Sequence, residues 1–125
     1  MKALLCSALL ALTITTANAA EEFNSANLLL PHCKTAVAGG APTTFLEGYC
    51  MGKIVTVAQM ATPVFGPGNR VAKEGFKCTA IPADVVTSQF LRVVIKYVEA
   101  RPERMHEPLH LLALDAFFDA WPCKK

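Results

Sequence analysis

The sequence carries little net charge: 12 Lys and Arg stand against 10 Asp and Glu, a formal +2. That balance excludes a strong general preference for nucleic acid or for anionic membrane surfaces. There is no C-x-x-C pair, the spacing of a zinc ribbon or a thiol redox motif. No stretch alternates apolar and polar residues strongly enough to predict a strand, which turns the fold class away from β architectures. Ser25 and Ser88 stand at predicted helix starts, with no nucleophile motif around either. After the first twenty residues no apolar run reaches the length of a membrane span.

What is present begins with an export signal. Met1-Lys2, an apolar run over 3–14, and Ala17-Asn18-Ala19 ahead of Ala20 read as a secretory signal peptide over 1–19. The run is short for a bilayer span, which ranks a retained anchor second. Cys6 lies too early in it to serve as a lipoprotein cysteine. The mature chain is then a single small domain over 20–125, soluble and close to neutral once Lys2 is gone. It keeps four cysteines, Cys33, Cys50, Cys78 and Cys123. An even number in a small exported domain implies disulfides, and four cysteines allow three pairings. Cys33 and Cys50 lie nearly symmetric about the glycine–proline turn near 39–42. In an antiparallel helix pair that symmetry puts them at one height. Cys33–Cys50 is therefore the favoured bridge, leaving Cys78–Cys123 to tie a long loop to the C-terminus.

Four helices account for the remaining pattern. Residues 20–24 read as a frayed end. Ser25 caps a first helix over about 26–37, with Leu28, Leu29 and Cys33 inward and Pro31 forcing a bend or a late start. Thr44-x-x-Glu47 is a capping box ahead of a second helix over about 45–60. Gly48, Gly52 and Thr56 make a strip without bulk where another helix can come close. Residues 62–82 are irregular. Thr87 caps a third helix over 88–100, whose apolar face is Phe90, Val93, Val94, Tyr97 and Val98. Pro102 ends it, and a fourth helix covers about 108–120. Phe117, Phe118 and Trp121 exceed what one helix face can bury, so part of that group is available to a dimer interface.

Two constellations invite a chemical reading. His106-Glu107-Pro108-Leu109-His110 spells the zinc-protease pattern H-E-x-x-H, which needs both histidines on one face of a regular helix. Pro108 suits a helix start and not its interior, and only Asp115 and Asp119 follow as further acidic ligands, so neither a metal nor another cofactor is expected. His32 stands alone. Arg101, Glu103, Arg104, His106 and Glu107 form a dense polar elbow between two apolar helices, a candidate partner-binding surface together with the loop over 62–77. No catalytic residues are identified.

The landmarks occur in a recognisable order: Phe45-x-x-Gly48-Tyr49-Cys50-Met51-Gly52-x-Ile54-x-x-Val57, then Cys78-x-x-Ile81-Pro82. Gln89-x-x-Arg92-Val93-Val94-x-Lys96-Tyr97-x-Glu99-x-x-Pro102-Glu103 follows, and Pro122-Cys123 closes the series. Over about 24–123 the chain resembles the Rap/Tai family of periplasmic immunity proteins, which neutralise peptidoglycan amidase toxins delivered by type VI secretion. The resemblance implies an all-α, disulfide-stabilised fold, often a homodimer, that occludes the toxin's active site and catalyses nothing. A small periplasmic acid-stress holdase of the HdeA kind is the alternative, since it too is helical and disulfide-bonded.

Overall fold

The computed structural model describes residues 22–124. The expected leader over 1–19 and its cleavage point lie outside the described residues. Four principal helices form the body: α1 (Ala26–Gly39), α2 (Phe45–Phe65), α4 (Thr87–Glu99) and α5 (Leu109–Ala120). A one-turn helix, α3 (Arg70–Lys73), and a 3-10 turn (Pro102–Arg104) lie in the connections. Among the described residues the only β pairing is two isolated bridges, Ser25 with Pro108 and Thr79 with Pro122. The all-α expectation holds.

Each helix contributes one buried stripe. Leu29, Leu30, Cys33 and Ala36 come from α1, and Cys50, Ile54, Ala58 and Ala61 from α2. Leu91, Val94 and Val98 come from α4, and Leu109, Leu112, Ala113, Ala116 and Phe117 from α5. The spacing within each set is that of one face of an α-helix. α1 packs on α2, α2 on α5, α5 on α4, and α4 on α1 and α2, so the stripes meet in one core. Full burial of a Leu, Ile or Phe side chain contributes about 1.5–3 kcal/mol each. Phe90 and Trp121 close around the Phe117 ring, with centroids 5.6 and 5.8 Å from it. Cys33–Cys50 joins α1 to α2 across a Cα–Cα distance of 5.5 Å, and Cys78–Cys123 ties the long loop to the chain beyond α5 at 5.4 Å.

The ends follow local chemistry. Ser25 Oγ accepts from the Leu28 amide, 3.4 Å away. Thr44 and Glu47 complete a capping box, in which Glu47 also accepts from the Thr43 amide at 2.7 Å. That amide chiefly holds the Glu47 carboxyl below its ordinary range, with Thr43 and Thr44 hydroxyl and amide bonds adding to it against the cost of burial. At Gly66 any Cβ would stand 2.2 Å from the Thr62 carbonyl oxygen, so only glycine closes α2 in this way.

Several expectations need correction. Residues 22–24 are helical, with Phe23 against Tyr49 and the Tyr49 hydroxyl donating to Asn24, so this end is not frayed. α1 starts at Ala26 and runs through Pro31 without the late start. The carbonyl that Pro31 leaves unbonded belongs to Asn27, and both residues are exposed to water. α2 runs past residue 60 and through Pro63 for the same reason, since Gln59 is exposed as well. Leu28 is only half-buried, and Leu30 and Ala36 complete the inner face in its place. Val86, not Thr87, is the N-cap of α4, without a side-chain bond.

The small-residue strip is also not an internal contact. Gly52 and Thr56 are exposed, and a Cβ on Gly52 would meet nothing within 4 Å. Two stability measurements by urea unfolding test these assignments. Thr44→Ala should lose about 0.5–2 kcal/mol through loss of the cap. Gly52→Ala should gain about 0.5–1 kcal/mol, because nothing obstructs the new methyl group and the helix loses a flexible residue. A destabilised Gly52→Ala protein would contradict the open surface.

Candidate functional site

The elbow over 101–108 is built around Arg104. Its Nε and Nη2 donate to the two carboxylate oxygens of Glu107 at 2.7 Å each, the bidentate geometry that only a guanidinium offers. Nη2 also donates to Asp115 on α5 at 2.8 Å, and Nη1 donates to the Tyr97 hydroxyl on α4 at 3.0 Å. Arg101 lies on the other side of Tyr97, its guanidinium 3.7 Å from the ring centroid and its Nη1 donating to the Tyr97 carbonyl. The main chain is used as well. The Glu107 and Met105 carbonyls accept from the Ala26 and Asn27 amides at 3.0 and 2.8 Å, which satisfies the open donors at the start of α1.

The five expected elbow residues therefore divide. Arg101, Arg104 and Glu107 are half-buried and engaged in holding the turn, whereas Glu103 and His106 are exposed. The hydrogen bonds from Arg104, reinforced by its charge, hold the Glu107 carboxyl below the usual carboxylate range, and the Arg104 guanidinium is in turn held more firmly protonated. His110, the second residue of α5, is pushed below the usual imidazole range by burial and then by the charge of Lys53. Pro108 stands ahead of the helix, so His106 and His110 do not share a helical face. Glu107 is bound to arginine and not poised to activate water. Among the described residues no three His, Cys, Asp or Glu side chains are grouped to hold a metal ion.

The second candidate surface, over 62–77, is not loop throughout, since 62–65 end α2 and 70–73 form α3, and it reaches the same place. Lys77 comes within 3.9 Å of Asp115 and lies over the Phe118 ring. Asp115 thus receives Arg104 from the elbow and Lys77 from the loop. A cleft of about 690 Å³ opens beside it, walled by Phe76, Tyr97, Phe118 and Asp119 among others. Behind it Thr79 is fully buried, with its hydroxyl 3.0 and 2.9 Å from the Phe117 and Trp121 carbonyls at the end of α5. A separate apolar groove of about 200 Å³ lies between α2 and α5, lined by Val57, Met60, Phe65, Leu111 and Leu114.

Residues 25–123 match the sequence profile of the Rap1a immunity proteins. The chain belongs to this family. The matched span opens at Ser25, the cap of α1, and closes at Cys123 in the second disulfide. No curated protein and no solved structure gives a significant match. Tyr97, Asp115 and Phe118 complete the candidate site of this Rap1a-family protein but do not stand out in the sequence as its parts. Asp115 invites only a metal-ligand reading there, and Tyr97 reads as one more apolar-face residue.

The anchored carboxylate makes the elbow sensitive to acid. A depressed folded-state pKa contributes stability that is present above the ordinary value of 4.5 and lost as pH falls through the folded value. Arg104→Gln should lower the urea midpoint at pH 7, and the gap to the parent should narrow as pH falls below 4.5. Arg104→Lys should recover only part of the loss, because an ammonium cannot make the paired contact. A gap that stays constant with pH would show that the Glu107 ion pair does not hold the elbow.

Proposed function

We propose that this Rap1a-family protein is a periplasmic immunity protein that binds a peptidoglycan amidase effector of type VI secretion and blocks its active site, with no catalysis of its own. The family match over 25–123 carries the reading. The elbow supports a steric mechanism: Arg101, Arg104 and Glu107 stiffen the turn, and Glu103 and His106 are the side chains free to meet a partner. A turn ordered before binding avoids much of the entropy cost of being ordered by it. The segment over 62–77 supplies a second contact, with Phe76 62% exposed. The apolar groove between α2 and α5, with Met60 and Leu111 exposed along it, supports self-association as a homodimer.

Mixing the purified protein with type VI amidases of different classes tests the reading. One class should form a stoichiometric complex and stop cleaving peptidoglycan, and co-expression in the periplasm should protect cells from that amidase alone. The double variant Glu103→Arg with His106→Glu should keep its helical circular dichroism and weaken the complex by about tenfold or more. Undiminished inhibition by the double variant would move the contact off the elbow. Inhibition of no amidase would overturn the reading itself.

A further inference from the structure

The two disulfides differ in what can reach them. Cys33 and Cys50 have no exposed surface and lie in the four-helix core. Cys78 and Cys123 are only half-buried, and both line the 690 Å³ cleft between the loop and α5. A cleft of that size admits a small dithiol or the tip of a protein loop. Each of these cysteines has a lysine beside it in the chain, Lys77 and Lys124, and both lysines line the same cleft. Cationic neighbours favour thiolate over thiol, which speeds the departure of a sulfur in exchange. Asp115 and Asp119 also line the cleft, and Asp115 is shared with Arg104.

The packing behind this bond has other supports. The Thr79 amide donates to the Phe65 carbonyl at 3.0 Å, and the Ala80 amide donates to the Trp121 carbonyl at 2.8 Å. The Thr79 hydroxyl sits between the last carbonyls of α5. On the other side of the bond lie α3 and the exposed Phe76, joined to α5 through the pair of Lys77 with Asp115.

We propose that Cys78–Cys123 is a thiol-exchange site, opened by a dithiol reductant while Cys33–Cys50 and the helical core stay intact, and that its opening releases the loop over 67–77. A thiolate of the reductant attacks one cleft sulfur, the Cys78–Cys123 bond breaks, and the other sulfur leaves as a thiolate and takes up a proton. The second thiol of the reductant, once deprotonated, attacks the reductant's own sulfur in the mixed disulfide and expels the remaining protein sulfur as a thiolate, which takes up a proton. Two protein thiols result, and the dithiol, having supplied two electrons, becomes a disulfide. The site stands apart from the immunity reading and does not need it.

The test treats the oxidised protein with graded dithiothreitol and, in a parallel arm, with a reduced thioredoxin-like oxidoreductase. Alkylation and mass spectrometry then read each cysteine. Cys78 and Cys123 should be labelled about tenfold faster than Cys33 and Cys50 or more, as expected for an accessible bond against an enclosed one. Helical circular dichroism should be unchanged at that stage, and trypsin should cut sooner after Arg70, Lys73 or Lys77. Reaction in both arms supports a protein reductant, and reaction with dithiothreitol alone assigns the site to small dithiols. Equal labelling of all four cysteines, or helix loss with the first reduction, overturns the proposal. The double variant Cys78→Ser with Cys123→Ser should fold and show the same early tryptic cuts. Its failure to fold, or a loop cut no faster than in the parent, overturns the proposal as well.

Discussion

The Cys33–Cys50 bond is the constraint on which the rest of the molecule depends. It lies wholly within the core and joins α1 to α2, the pair that begins the four-helix arrangement. Closing a loop of this size removes roughly 3 kcal/mol of unfolded-state freedom on the chain-entropy view. It also fixes the relative height of the two helices, so that Leu29, Leu30 and Ala36 face Ile54 and Ala58 from one side of the core. α4 and α5 then close over that pair with stripes that match it. A small domain has little core to spare, and a covalent tie at its centre offsets this.

The elbow draws its rigidity from a different source. An exposed ion pair contributes little by itself, because water screens it and two long side chains must be held still. Arg104 escapes that description by addressing two carboxylates and a phenol at once, each from a different segment. Tyr97 is held from both sides, by Arg101 over its ring and Arg104 at its hydroxyl. Through Asp115 the same network reaches Lys77, so the loop and the elbow meet at one carboxylate.

Much of this was legible in the sequence, and the limits have physical causes. The capping box at Thr44 and Glu47 and the symmetry of Cys33 and Cys50 are local and appear as read. α4 keeps its helical period but buries Leu91, Val94 and Val98 most deeply, with Phe90, Val93 and Tyr97 half-buried beside them. A late start at Pro31, or an end of α2 near residue 60, would follow if the orphan carbonyls were buried. Asn27 and Gln59 face water instead, and the helices pass through. Gly52 and Thr56 misled because spacing shows where bulk is missing but not what lies opposite. The division of the elbow into engaged and exposed residues depends on Tyr97, Asp115 and the first amides of α1, none of which is close in sequence to all the others. That information exists only once the chain has folded.

The two carbonyls of the elbow that receive the Ala26 and Asn27 amides couple the first turn of α1 to residues 105 and 107. The opening turn of α1 has its Leu28 amide capped locally by Ser25, but its first two amides find their acceptors only at residues 105 and 107. The elbow is thus a clasp between the two ends of the helical domain: with the elbow displaced, the first amides of α1 lose their acceptors.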